Sequence, residues 1–322
     1  MNWPIAKPPT EREPVRRVTI GRTSAVVVAV GLVAAALTGC SSNPNADCGT
    51  ALPSGGASQL VEATGKIGSK PDITVPAPVD TTKSERTIIS EGTGEPVHKG
   101  QVVEIQYTLL DGKTGEVQQS SVGTGDSYPL ALSSSNSTVA TLSKGLQCAP
   151  VGSRVAVVIS PKDAGGDATG SSGIFVVDIL KAYLSQANGA VRPSASGFPT
   201  VVLAPTGQPG ITIPSSGSAP KSIRSEELKA GDGATVTAKS DAILHYTAVG
   251  WENKNVVLSS WQSGSPDLVS IGTGQSQLNQ ALPQSVLKQL VGKKVGSQVV
   301  VEAPADGQVP AAAWVVDILG IR

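Results

Sequence analysis

The feature that most limits how this chain can fold is that it repeats itself. Pro71-Asp72-Ile73-Thr74-Val75-Pro76 returns as Pro209-Gly210-Ile211-Thr212-Ile213-Pro214, and Glu91-Gly92-Thr93-Gly94 as Ala230-Gly231-Asp232-Gly233. Ile105-Gln106-Tyr107-Thr108 returns as Leu244-His245-Tyr246-Thr247, and Ser120-Ser121 as Ser259-Ser260. Val151-Gly152-Ser153 returns as Val295-Gly296-Ser297, and Val176-Val177-Asp178-Ile179-Leu180 as Val315-Val316-Asp317-Ile318-Leu319. Order is kept, and spacing changes only by small insertions and deletions. Units this long are too large for a solenoid, so they predict tandem domains from a duplication.

Within a copy, apolar residues alternate. Val103, Ile105 and Tyr107 share one face of a strand; so do Val155, Val157 and Ile159, and Phe175, Val177 and Ile179. A period of two predicts antiparallel strands with one buried side. On that pattern Asp178 and Asp317 alternate away from the core and are expected in solvent. His98 falls in a turn. His245 faces opposite to Tyr246, and neither histidine has a partner at catalytic spacing in the sequence. One short helix is expected per copy, over residues 138–146 and 285–290. The chain also holds 36 glycines and 23 prolines, which favours short strands and many turns. The expected class is α+β, each copy a curved antiparallel sheet with one short helix packed on it.

The N-terminus reads as an export signal. Residues 1–23 are polar and carry Arg12, Arg16, Arg17 and Arg22; residues 25–37 are apolar. That run is shorter than the ~20 residues a membrane span needs. A charged start, a short apolar stretch and small residues before a cut site describe a secretory signal. The cut site, Leu37-Thr38-Gly39-Cys40, resembles the lipobox of bacterial lipoproteins, which implies a diacylglyceryl group on Cys40 and anchorage at the outer face of a membrane. An ordinary signal with a chance cysteine is the alternative. The expected layout is therefore a signal peptide over 1–39, a lipidated tether over 40–57, a first domain over 58–184, a loose linker over 185–197 and a second domain over 198–322.

Formal charge is zero, which removes the electrostatic footprint expected of a nucleic-acid binder. No spacing resembles a metal site, so no metal is expected. Gly-rich runs such as residues 123–125 and 272–274 lack a P-loop lysine and read as turns. With Cys40 assigned to lipid, Cys48 and Cys148 remain. Outside the cytoplasm such a pair is expected to oxidise to an internal bridge. Two free buried thiols, or contacts between chains, are the alternatives.

The repeated residues also carry a family resemblance. Gly92-x-Gly94, Val102 to Tyr107-Thr108, Asp111-Gly112, Ser120-Ser121, Gly145-Leu146, Val151-Gly152-Ser153, Ser160-Pro161 and Val177-Asp178-Ile179-Leu180 resemble, in order, an FKBP-type peptidyl-prolyl cis–trans isomerase. The match spans residues 83–184, and a weaker one spans 222–322. The resemblance implies a half-barrel sheet around one helix with a pocket between them, and a reaction with no cofactor. It implies catalytic roles for Tyr107, Phe175, Tyr128 and Gln119. It implies substrate-binding roles for Val139, Leu142 and Gln118, and for Tyr246 and Trp314 in the second copy. The family has Phe-Asp before the paired serines; here those positions are Gln118-Gln119 and Val257-Leu258. It has Trp on the helix, where this chain has Leu142 and Val286. A Tyr before Gly166 is replaced by Gly165. The whole chain holds four Trp, four Tyr and two Phe, too few to line two aromatic pockets. The implied partners are proline-containing unfolded or exported polypeptides. The other reading is a binding or scaffold lipoprotein that keeps the fold without the activity.

Overall fold

The computed structural model describes residues 48–123, 127–133, 137–167, 170–214, 218–276, 282–307 and 309–322. The expected signal peptide, Cys40 and the expected tether up to residue 47 lie outside the described residues. A short 3₁₀ turn, Cys48–Thr50, leads into α1 (Gly56–Gln59), β1 (Glu62–Thr64) and β2 (Asp72–Thr74). Then come β3 (Glu85–Ser90), β4 (Val102–Asp111), β5 (Val117–Ser120), β6 (Tyr128–Ala131), α2 (Ser137–Leu146), β7 (Arg154–Ile159) and β8 (Gly173–Ala182). The remaining elements open with β9 (Ala190–Val191), β10 (Thr200–Leu203), β11 (Pro209–Thr212), β12 (Arg224–Ala230), β13 (Asp241–Gly250) and β14 (Val256–Ser259). They close with α3 (Ser260–Ser263), β15 (Asp267–Ser270), α4 (Gln284–Leu287), β16 (Gln298–Ala303) and β17 (Ala312–Ile321).

The strands build an α+β structure with two main antiparallel sheets. The first runs β3-β7-β8-β4-β5, with β6 also on β4; the second runs β14-β13-β17-β16-β12-β9, with β15 on β13. Both expected helices form, the second continuing from α4 into a 3₁₀ turn, Lys288–Leu290. Leu142 and Leu146 of α2 pack with Ile105, Val155, Val157 and Val177 on the concave face of the first sheet. Gly145 makes this approach possible: a Cβ there would stand 2.6 Å from a Val157 methyl. In the second sheet Val286, Leu287 and Leu290 take the same place against Leu244, Val299 and Val316.

The repeated Gly and Val-Gly-Ser motifs turn out to clasp each other. Gly92 N–H donates to Ser153 Oγ at 2.9 Å, and Gly231 N–H to Ser297 Oγ at 3.0 Å. A Cβ on either glycine would fall 2.2 Å from the carbonyl oxygen of Val151 or Val295, so only glycine fits.

The expectation of sheets buried on one side is corrected. All six residues of β7 and all six of β16 are buried. The reason is a second layer made from the other repeated motif, Pro71–Pro76 and Pro209–Pro214. It supplies the second strand of each of the hairpins β1-β2 and β10-β11. Ile73 and Val75 pack with Val61, Ala63, Ala156, Val158 and Val176 behind the first sheet. Val201 and Ile211 pack with Leu228, Val300 and Val315 behind the second. Each fully buried aliphatic side chain contributes about 1.5–3 kcal/mol.

The two aspartates expected in solvent are buried as well, Asp178 under the β1-β2 turn and Asp317 under the stretch that carries Ala187. Asp178 is 4 % exposed and pairs with Arg154 Nε at 2.6 Å and Nη2 at 2.7 Å. Arg154 in turn donates to the carbonyls of Thr64, Gly65 and Lys66, and Gly68 N–H donates to Asp178, so the ion pair clamps the β1-β2 turn. Asp317 is 2 % exposed and accepts from Ala187 N–H at 2.9 Å and Gln298 Nε2 at 2.7 Å. Burial pushes its carboxyl up, while those two donors pull it down. His245, for which the sequence offers no partner, finds one. It is buried, bonds Ser260 Oγ through Nδ1 at 2.7 Å and stacks on Trp261 with ring centroids 3.9 Å apart. Desolvation lowers its pKa to about 3, so it stays neutral.

Two stretches expected to be loose are built into the fold. Residues 48–57 belong to the first sheet's surroundings: Ala57 N–H and Ser58 N–H donate to Glu85, and Ser58 Oγ meets Thr87 Oγ1 at 2.9 Å. In the stretch 185–196, β9 pairs with β12 and Ala187 is buried. The described residues belong to one compact unit. Val102, Tyr183, Ile243, Leu268 and Leu319 make a shared apolar cluster between the sheets. Beside it Tyr183 Oη donates to Glu104 Oε1 at 2.9 Å, and Arg322 Nε approaches the same oxygen at 3.4 Å.

Candidate functional site

The concave face of the first sheet and α2 line an open cavity of about 270 Å³. Its walls are Ile105, Tyr107 and Leu109 from β4, Phe175 from β8, Gln119 from β5, Tyr128 and Leu130 from β6, and Thr138, Val139 and Leu142 from α2. None of these side chains is charged. The structure thus gathers Tyr107, Phe175, Tyr128, Gln119, Val139 and Leu142 from five elements around one space. Tyr107 stands at the centre of the aromatic side. Its ring lies 6.0 Å from Tyr128 in an edge-to-face pair and 6.2 Å from Phe175. Such pairs contribute ~0.5–1.5 kcal/mol beyond area burial. Burial, with the neighbouring Tyr128 adding to it, pushes the Tyr107 phenol up, so it stays a neutral hydroxyl at biological pH.

The repeated serines hold this strand. Ser121 Oγ accepts from Tyr107 N–H at 2.9 Å, and Ser120 Oγ meets Thr108 Oγ1 at 3.1 Å. Ser260 and Ser259 do the same for Tyr246 and Thr247, at 2.8 and 3.0 Å. The floor of the cavity is fixed through α2. Thr138 and Thr141 donate to the carbonyls of Ala164 and Asp163 in the turn after β7. Asp163 itself accepts from Ser84 Oγ at 2.6 Å and Ser160 Oγ at 2.9 Å.

Gln118 is corrected: it lies outside the cavity and donates to Asp111 Oδ2 at 3.0 Å. The register shifts between Leu109 and Leu110 opposite β5, so Val117 pairs with Leu110, whose side chain belongs to the back layer, and only Gln119 pairs with cavity-facing Leu109. Tyr246 and Trp314 are corrected too. Each is 1 % exposed and part of the second core, with ring centroids 6.3 Å apart, so a ligand cannot touch them in this conformation.

One residue had no signal in the sequence. Asp267, fully buried, accepts from Tyr246 Oη at 2.9 Å and from Ser276 Oγ at 2.6 Å. It occupies in β15 the register position that Tyr128 holds in β6, facing Leu244 as Tyr128 faces Ile105. Burial and the adjacent Asp267 carboxylate push the Tyr246 phenol strongly up. The second copy therefore places a hydrogen-bonded Tyr–Asp pair where the first has an open aromatic pocket.

Cys48 and Cys148 are joined, with Cα atoms 5.7 Å apart. The bridge sits directly beyond the C-terminus of α2. No group of metal-ligating side chains occurs among the described residues, and no helix among them is long and apolar enough to cross a membrane.

No family model matches this chain, and no curated protein matches it. Among solved structures it is similar to the N-terminal domain of FKBP42 from Arabidopsis thaliana, with 18 % identity and a TM-score of 0.30, over 37 % of this chain and 98 % of that one. It is similar to the three FKBP domains of wheat FKBP73, with 12 % identity and a TM-score of 0.30, over 73 % and 92 %. It is also similar to FkpA from Escherichia coli, with 21 % identity and a TM-score of 0.28, over 31 % of this chain and 47 % of that one; the match spans about half of FkpA.

Proposed function

We propose that this chain is an FKBP-like peptidyl-prolyl cis–trans isomerase made of two tandem copies. The first copy acts on exported, unfolded polypeptides, and a lipid on Cys40 holds the protein at the outer face of a membrane. The observation that carries the reading is the uncharged cavity of about 270 Å³ lined by Tyr107, Tyr128, Phe175, Val139 and Leu142. An X–Pro bond isomerises slowly because amide resonance must be broken, against a barrier of ~18–20 kcal/mol. The twisted amide has less charge separation than the planar one. An apolar pocket wall therefore favours it over the planar form, which is the differential binding catalysis requires. Tyr107, Tyr128, Thr138 and Gln119 carry the polar side-chain atoms of the wall; Tyr107 and Gln119 are the two assigned to the rotating carbonyl, and neither exchanges a proton in the step.

The test is a prolyl-peptide exchange assay on residues 41–322. The wild type is expected to accelerate exchange. Tyr128→Ala, at a side chain half exposed and outside the core, is expected to lower kcat/KM severalfold while the melting temperature falls by no more than about 2–4 °C. No acceleration by the wild type would overturn the catalytic reading.

A second reading has its own observation. Gln119, a neutral amide, stands where the resemblance implies an aspartate, and the second copy's equivalent space is filled by Tyr246 and Trp314. Both are what a binding protein that has lost turnover would show. Peptide binding to the first cavity without acceleration would select it.

A further inference from the structure

The cavity adjoins a sheet edge that no described strand covers. β3 and β5 are the two ends of the first sheet's main path. β3 is defended: it carries Glu85 and Arg86, and Glu85 holds α1 against it through the N–H groups of Ala57 and Ser58. β5 reads Val117-Gln118-Gln119-Ser120, without charge or proline, and all four residues are exposed. Bare edges template pairing with other chains, and proteins usually blunt them with Lys, Pro or a covering element. Here the single irregularity is the bulge at Gln118, and Gln119 and Ser120 remain in regular register with Leu109 and Thr108. Ser121 N–H donates to Tyr107 O at 2.9 Å. Antiparallel hydrogen bonding alternates, so Ser120, one residue earlier, turns its N–H and C=O outward. Gln119, its neighbour, lines the cavity.

We propose that an extended polypeptide adds to the free edge of β5 through Ser120 while its prolyl residue enters the cavity past Gln119. This rests on the isomerase reading of the cavity and names the form of its substrate: an unfolded, neutral, strand-competent segment flanking the proline. Strand addition takes its affinity from main-chain hydrogen bonds and is tolerant of side-chain sequence. It suits a protein that meets many unfolded chains. The second sheet supplies a control. β14, Val256–Ser259, is an equally uncharged edge, with Ser259 paired to Thr247 as Ser120 is to Thr108, but it lies beside a filled core.

Binding and exchange are measured on residues 41–322 with three probes. One is a short Xaa-Pro peptide that fills the cavity alone. The second is a longer peptide with Thr/Val flanks. The third is that longer peptide N-methylated at alternate backbone positions, in both phases. The longer peptide is expected to bind about tenfold more tightly than the short one, the worth of one or two added backbone bonds, and N-methylation in one phase is expected to cancel the gain. Ser120→Pro should cancel it too, and Ser259→Pro should not. Because a proline could unfold β5, the N-methylated pair decides if that variant does not fold. Equal affinity for all three probes overturns the edge proposal. Length-dependent binding without accelerated exchange supports the edge and overturns the isomerase reading.

Discussion

Replacing both cysteines of the bridge, Cys48→Ala with Cys148→Ala, perturbs a connection that spans 100 residues of sequence. In the chain-entropy account a loop of that length restricts the unfolded state by ~4.7 kcal/mol, and measured effects are commonly ~2–4 kcal/mol. The folded state retains other ties at this point. Thr50 Oγ1 donates to Gln147 Oε1 at 2.7 Å, Leu52 N–H donates to Lys144 O at 3.2 Å, and Arg86 donates to the carbonyls of Gly145 and Gln147. The loss should therefore appear in the unfolded reference state rather than as a collapse of α2. A local term can be separated from it. Cys148 has φ 61°, just past the end of α2, where a residue with a side chain is disfavoured. Cys48→Ala with Cys148→Gly should recover ~1 kcal/mol relative to the double alanine variant. The assay is denaturant unfolding of the oxidised protein, the reduced protein and both variants. The expected order of stability is oxidised, then the glycine variant, then the alanine variant, with ~2–5 kcal/mol between the first and last. A difference below ~1 kcal/mol, or exported protein with both thiols free by titration, would refute the reasoning.

Arg154→Met should cost ~3–5 kcal/mol by unfolding, because it strands Asp178 in the back layer without its cation; Arg154→Met with Asp178→Leu should recover much of that. Asp163 titrates below the usual carboxylate range, held there by the Ser84 hydroxyl against the upward push of burial, with Ser160 adding to the effect. Its stabilisation is complete above the unfolded pKa of ~3.9 and is lost as pH falls from there through the lower folded value, so Asp163→Asn should flatten the stability profile in that acid window. Gln119→Asp should change prolyl exchange, whereas Gln118→Phe should not, because only Gln119 faces the cavity. Cys40→Ser should release the protein from membranes and abolish labelling by a lipid precursor; unchanged membrane association would reject the anchor.

The sequence by itself determined the repeated motifs, the antiparallel strands and the two helices, while the residues that line the first cavity were suggested only by the family resemblance. The motifs, strands and helices were legible because each depends on short-range rules. Gly92 and Gly231 recur because a Cβ would strike a carbonyl, Ser153 and Ser297 recur because they bond those glycines, and strand alternation follows from the pleat. The Cys48–Cys148 bridge was reachable by compartment chemistry, although only the structure shows the 5.7 Å approach that permits it. What needed tertiary structure were the contacts between segments far apart in the chain. The β1-β2 hairpin and the stretch around Ala187 carry no mark saying which sheet they cover, so the burial of Asp178 and Asp317 could not be read from alternation. A bulge of one residue moved Gln118 away from the cavity. The different fates of the two copies also depend on packing: equivalent registers place Tyr128 beside an open space in one sheet, and Asp267 against Tyr246 in a filled core in the other. Side-chain volume and pairing across strands set that difference, and neither is a property of any single stretch of sequence.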